Sequence, residues 1–170
     1  MNKPIYLDYA STTPVDKDVV EEMVPFFTEN FGNAGSATHQ FGWFANGAIK
    51  RARKQIAKSI NCEESEIIFT SGATESINIA IQGVFNLYAS KGNHFIISKT
   101  EHKAVIDTVN FLKKKGARVT YLDVDSNGLI NLEELKNSIC NETILIAVMW
   151  VNNETGVIQD TVEVSNIAYQ

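Results

Sequence analysis

Apolar residues along this chain come in two kinds of run, and the two kinds alternate. "EIIFTS" has Ile67, Ile68 and Phe69 in succession, β-favouring and continuous, which predicts a buried strand. Next, Ile77, Ala80, Ile81, Val84 and Tyr88 recur at helical intervals, with Gly92 as the stop. "HFIIS" predicts a second short strand, followed by a helix in "HKAVIDTVNFLKKKG", where Val105, Val109 and Leu112 share a face. Lys113, Lys114 and Lys115 suit the negative end of that helix dipole. Then come strand "ARVTYLDV", turn "DSNG", helix "NLEELKNSI" and strand "TILIAVMWV". Residues 144–151 are continuously apolar, which predicts a central strand covered on both faces. Strands alternating with helices across short loops predict an α/β fold, a mainly parallel sheet flanked by helices. Ligands of such sheets bind at the carboxyl ends of the strands.

Two helical segments precede these units, roughly 16–30 and 41–60, separated by the small, polar stretch "FGNAGSATHQ". Asp16 and Asp18 suit the start of the first helix, and Pro25 bends it or marks a boundary. The expected organisation is an N-terminal segment of two helices over 1–60 and an α/β domain over 61–170. "TVEVSNIAYQ" begins one more helix and then stops. A parallel sheet needs further crossovers, so the α/β domain is expected to be incomplete.

Composition narrows the function classes. The 170 residues are 44% hydrophobic and 21% charged, as in a soluble globular domain. A net charge of -5 argues against a nucleic-acid partner, which would need a basic face. The basic run "KRARKQIAK" lies in a helical pattern and is expected to be a solvated face. No apolar run approaches the roughly 18 residues of a membrane span, and "MNKPIYLDYAS" lacks the apolar core of a signal peptide. Cys62 and Cys140 are far apart and without metal-ligand spacing; no metal site and a cytoplasmic, reducing location are expected.

Candidate chemistry gathers at the predicted strand ends. The corner "TSGATES", residues 70–76, turns a strand directly into a helix and is rich in small and hydroxyl side chains. A helix N-terminus delivered this way presents free N–H groups and a positive dipole end, suited to a phosphate. The same corner also serves an ordinary capped helix, with Ser71 as N-cap and Glu75 in the first turn. It carries neither a Walker sequence nor the three glycines of a dinucleotide turn. "TEHKAV" sets His102 just past the second strand, and "VNNETG" sets Asn152, Asn153 and Glu154 just past the last. Taken singly these are a capping histidine and a turn; their coincidence at three strand ends predicts one composite site.

With these blocks in view the chain resembles the N-terminal part of cysteine desulfurases of the NifS/IscS type. These are fold-type I pyridoxal-phosphate enzymes of the class V aminotransferase group. The resemblance runs over essentially the whole chain, through "YLDYASTTP", "FGN…SATHQFG", "FTSGATESIN", "SKTEHKAV", "NGLINLEEL" and "VNNETGVIQD". It implies that Ala73 and Thr74 hold the cofactor phosphate. It further implies that His102 stacks on the pyridine ring and assists proton transfer, and that Asn153 bonds near the phenolic oxygen and the substrate. Asp8, Ala10 and Thr12 fall in the family's N-terminal segment, which runs near the active site, and Asn33, Ser36 and His39 belong to its next loop. The implied activity removes sulfur from L-cysteine, giving L-alanine and an enzyme persulfide for iron–sulfur cluster assembly or thiolation.

The family's Schiff-base lysine follows an "SGHK"-like motif, and none occurs here. Lys103 belongs to the ring-stacking block instead. The aspartate that pairs with the pyridine nitrogen and the persulfide cysteine are expected beyond the end of this sequence, and Cys62 and Cys140 are expected to be structural. Ala34 stands where the family usually has proline, Ile77 where many members are polar, and Trp150 where a histidine often precedes "VNNE". The chain alone is therefore expected to be inactive and poorly stable. It is expected to act with a complementary half, or else to be a non-catalytic remnant or a binding partner of an intact desulfurase.

Overall fold

The computed structural model describes residues 4–169. The first three residues of the "MNKPIYLDYAS" stretch, and Gln170 at the end of the last helical segment, lie outside the described residues. The chain divides into two compact units, Met1–Phe69 and Thr70–Gln170.

In the first unit, α1 spans Lys17–Thr28 and α2 spans Gln40–Ile60. Asp16 caps α1, its Oδ1 accepting from the Asp18 N–H at 2.9 Å. Pro25 lies inside α1, and its carbonyl receives the closing N–H groups of Glu29 and Asn30. The stretch between the helices is irregular, as its composition predicts, and is tied back onto α2. Trp43 Nε1 donates to the Ala37 carbonyl at 2.7 Å, and Asn46 Nδ2 donates to the Ala34 carbonyl at 3.3 Å. The Ser36 carbonyl lies where a Cβ on Gly42 would sit, 1.9 Å away, so only glycine fits there. His39 caps α2, its Nδ1 accepting from the Gly42 N–H at 3.3 Å. Lys50, Arg51 and Lys54 of the basic run are exposed. Arg53 turns inward instead, donating to the Ile67 carbonyl and standing 4.9 Å over the Phe69 ring.

The "EIIFTS" expectation needs correction. Glu64–Glu66 form a single 3-10 turn, and Ile67–Thr70 continue without regular structure. Ile68 is 70% exposed. A strand exists only by pairing, and among the described residues neither edge of the sheet takes this segment as a neighbour.

The second unit holds three parallel strands in the order β2-β1-β3: β1 His94–Ser98, β2 Arg118–Leu122 and β3 Thr143–Ala147. Helices α3 (Ala73–Leu87), α4 (Lys103–Lys113), α5 (Leu132–Ser138) and α6 (Thr161–Tyr169) flank it. The central strand is therefore β1, buried along its whole length, whereas the "TILIAVMWV" strand is an edge strand and only half-buried. A continuous apolar run is compatible with either place; His94 at the start of "HFIIS" disguised the fully buried one. Its ring meets the Thr143 hydroxyl at 2.8 Å and the Thr120 hydroxyl at 2.9 Å, so a polar residue is satisfied inside the sheet.

Alternation along β1 distributes the core to two faces. Phe95 and Ile97 pack with Ile81 of α3 and with Val105, Val109 and Leu112 of α4. Ile96 packs on the other face with Leu122, Leu135 of α5, and Val164 and Ile167 of α6. Each of these side chains contributes about 1.5–3 kcal/mol by leaving water. The "DSNG" turn closes as predicted: Asp125 Oδ1 accepts from the Asn127 and Leu129 N–H groups at 2.8 and 2.9 Å, and Gly128 takes φ +82.

Candidate functional site

Of the candidate residues of the second unit, His102 and Asn153 follow the ends of β1 and β3. Ala73 and Thr74 instead open α3 after the unpaired Ile67–Thr70 segment, so two strand ends rather than the expected three carry the candidates. Phe85 near the end of α3 packs on Phe95 at the start of β1, with ring centroids 6.1 Å apart. Helix α3 thus runs against β1, and its N-terminus lies toward the carboxyl edge of the sheet. That N-terminus is built differently from expectation. The N-cap is Gly72, at φ 157 and ψ -179, and it supplies no side-chain cap. Ser71 turns away: its N–H and hydroxyl both donate to the Glu75 carboxylate, at 2.5 and 2.7 Å. Those bonds, the backbone one first, hold the Glu75 carboxyl below its ordinary pKa. Thr70 and Ser76 hydroxyls meet at 2.7 Å and close the turn from behind. The consequence is an exposed first turn at Ala73–Thr74 whose N–H groups no side chain caps.

His102 is the N-cap of α4, with Nδ1 accepting from the Ala104 N–H at 3.1 Å. That bond requires a lone pair on Nδ1, so the neutral ring carries its proton on Nε2. The ring is exposed, four residues beyond the end of β1. Lys103 beside it is also exposed and pairs with Asp107 one turn along α4.

After β3 the chain forms a narrow loop, bridged at Val151–Ile158, with Gly156 at φ +74. Asn152 organises it. Its Oδ1 accepts from the Glu154 and Thr155 N–H groups, both at 2.9 Å, and its Nδ2 donates to the Thr100 carbonyl at 2.9 Å. Asn153 is exposed at this loop, its Nδ2 donating to Glu154 Oε1 at 3.1 Å. Trp150 is 67% exposed.

Ala73, Thr74, His102 and Asn153 therefore all lie in segments leading from or into the carboxyl edge of one parallel sheet. Asp8, Ala10, Thr12, Asn33, Ser36 and His39 belong to the other unit; of these, Asp8 Oδ2 accepts from the Ser11 hydroxyl at 2.6 Å. Sequence reasoning passed over Glu101, which is 8% exposed and accepts from the Met149 N–H as β3 gives way to its loop. Burial pushes its carboxyl pKa up, opposed by the Met149 and His102 backbone N–H groups. The signal was its place in "TEH": an acidic side chain between a strand end and a helix cap.

Both cysteines are free. Cys140 is exposed in the loop before β3, its Sγ 3.3 Å from Arg118 Nη2 and 3.5 Å from His94 Nδ1. Cys62 is half-buried just past α2. Among the described residues no group of three or more His, Cys, Asp or Glu side chains is arranged to hold a metal ion, and no helix is long and apolar enough to cross a membrane.

Comparison with known proteins identifies the family. The chain is 58% identical over 164 residues to cysteine desulfurase IscS of Neisseria meningitidis serogroup C (strain 053442), a match covering 96% of this chain and 41% of that protein. It is 52% identical over 168 residues to cysteine desulfurase IscS of Dechloromonas aromatica (strain RCB), covering 98% and 42%. Among solved structures, a NifS-like protein superposes with a TM-score of 0.90 at 42% identity, over 93% of this chain and 43% of that one. A structure of SspA in complex with cysteine superposes with a TM-score of 0.91 at 41% identity, over 96% and 47%. The chain thus spans about two fifths of the length of the curated relatives it matches. The α/β architecture, a parallel sheet flanked by helices and preceded by a helical segment, is that of the fold-type I large domain. The class-V aminotransferase pattern matches residues 5–170, and the chain belongs to that family.

Proposed function

We propose that this chain supplies the cofactor-phosphate and ring-binding part of a cysteine desulfurase that uses pyridoxal phosphate and acts on L-cysteine. One observation carries the reading: an uncapped helix N-terminus at Gly72–Thr74 shares a sheet edge with the His102 ring and the Asn153 amide. The donor set suits the group. The N–H groups of Ala73 and Thr74 and the Thr74 hydroxyl suit a phosphate dianion, which the positive dipole end favours. No atom lies within 4 Å of a Cβ position on Gly72, leaving open space for the phosphate oxygens.

Bound there, pyridoxal phosphate supplies an electron sink for the carbon that loses its proton. His102 offers a flat exposed face for the ring, and its Nε2 is the atom left to exchange a proton, because Nδ1 is committed to the helix cap. The Asn153 amide donates toward an oxygen of ring or substrate. Turnover requires a lysine, an aspartate and a sulfur-accepting cysteine, and we assign these to polypeptide complementary to this chain. The cytoplasm, where thiols stay reduced, suits the two free cysteines and the persulfide chemistry.

A titration with pyridoxal phosphate, followed by tryptophan fluorescence, tests the reading. A saturable quench weakened about tenfold by Thr74→Ala is expected, the effect of losing one charge-assisted hydrogen bond. No saturable change in a folded sample would sink it. The chain alone should form no alanine from cysteine above the free-cofactor background, and alanine above that level would show that no complementary chain is needed.

A second reading is a non-catalytic partner of an intact desulfurase. It is favoured by the apolar surface of the first unit, where Met23, Val24, Phe27, Phe31, Phe41 and Trp43 are all exposed. Co-purification with an intact desulfurase and no binding of pyridoxal phosphate would support it.

A further inference from the structure

Glu101 is a buried carboxylate that accepts the N–H of Met149, where β3 ends and the Asn153 loop begins. Burying a carboxyl group costs free energy unless hydrogen bonds compensate it. Here the compensating bond comes from the segment that carries Asn153, while Glu101 itself stands directly before His102. A second strap runs alongside, from Asn152 Nδ2 to the Thr100 carbonyl at 2.9 Å. Below it, the Ser98 and Thr100 hydroxyls meet at 2.9 Å and fix the start of the same loop. The sheet ladder itself contributes nothing at this level, because β1 pairs with β3 only as far as Ile97–Ala147. Beyond that pair, among the described residues, the hydrogen bonds that join the two loops are made by side chains.

We infer that Glu101 is a positioning residue of the cofactor site: its carboxylate staples the exit of β3 to the β1–α4 loop and so fixes His102 relative to Asn153. The inference rests on the cofactor reading above. The phosphate corner at Ala73–Thr74 is built without Glu101, which gives the staple a distinctive consequence. Loss of the staple disturbs recognition of the ring and spares recognition of the phosphate.

The test compares Glu101→Ala and Glu101→Gln in the full chain, using pyridoxamine 5'-phosphate and inorganic phosphate as separate probes. Alanine removes the acceptor, whereas glutamine keeps an oxygen for the Met149 N–H. Glu101→Ala is expected to weaken pyridoxamine phosphate about tenfold and inorganic phosphate by about twofold at most, with Glu101→Gln recovering most of the loss. Equal losses for both probes, no loss in the alanine variant, or a glutamine variant as weak as alanine would each overturn the staple. Failure of the unaltered chain to bind either probe would instead overturn the cofactor reading. Amide hydrogen exchange without ligand then decides the staple by itself. Glu101→Ala is expected to lose protection at Met149 while keeping it at Val109 inside α4. Unchanged protection at Met149 would overturn the inference.

Discussion

Asn152 reaches across 52 residues of sequence to donate through Nδ2 to the Thr100 carbonyl at 2.9 Å, while its Oδ1 accepts two N–H groups of its own loop. One side chain thus folds the loop after β3 and ties it to the loop after β1. Asn152→Ala should lower stability by about 1–3 kcal/mol, since three hydrogen bonds at a half-buried position lose their partner. Urea unfolding checks this. Asn153→Ala is the control: that side chain is exposed and bonds only to its neighbour, so its effect on stability should stay within about 0.5 kcal/mol.

The core of the second unit should be far less tolerant than the apolar residues near the end of the first. Phe95 is fully buried between α3 and α4, and Phe95→Ala should cost about 3–5 kcal/mol through lost transfer energy and a cavity. Ile68 is largely exposed, and Ile68→Ala should change stability by no more than about 0.5 kcal/mol. Equal shifts in the urea midpoint would contradict this division of the apolar residues.

Most of the architecture was legible because helical and strand periods alternate cleanly from Ile77 to Tyr169. The helices at 17–28, 40–60, 73–87 and 103–113 fall where the apolar spacing and stop signals put them. Two strand assignments were not legible, for one physical reason. Whether an apolar run is central, edge or unpaired depends on its neighbours, and neighbours are a property of the sheet. Ile67–Phe69 has the composition of a strand and no partner, while "HFIIS", with a histidine at its head, is the one strand buried throughout. The positions of His102 and Asn153 past strand ends could be anticipated from sequence, since Asn153 comes two residues and His102 five residues after the last apolar residue of a run. The place of Glu101 in "TEH" marked it, but its partner could not be anticipated, because the Met149 N–H lies 48 residues away.

Gly72 is predicted to be intolerant of a side chain for backbone reasons alone. Its φ of 157 with ψ -179 is a region open essentially to glycine, although a Cβ there would meet open space. Gly72→Ala should cost about 1–3 kcal/mol and turn the first N–H groups of α3 away from their common direction. Phosphate binding measured calorimetrically should fall with it. A variant of unchanged stability that still binds phosphate would show that the turn does not need the glycine conformation.

Two buried titratable groups at opposite ends of β1 should give the second unit opposite pH dependences. Burial pushes the His94 pKa down, with Arg118 adding to the effect, and pushes the Glu101 pKa up. For His94 the unfolded chain binds the proton more readily. Its contribution is therefore fully present above the ordinary value of 6.5 and is lost as pH falls from there through the depressed folded value. For Glu101 the folded chain binds the proton more readily. Its contribution is present below the ordinary value of 4.5 and is lost as pH rises through the elevated folded value. Urea midpoints measured from pH 4 to pH 8 should accordingly flatten on the alkaline side of 4.5 in Glu101→Gln and on the acid side of 6.5 in His94→Gln. If Glu101→Gln instead steepens the loss as pH rises, the carboxylate is stabilised by the Met149 N–H more than burial disfavours it, and the carboxyl pKa lies below its ordinary value rather than above it.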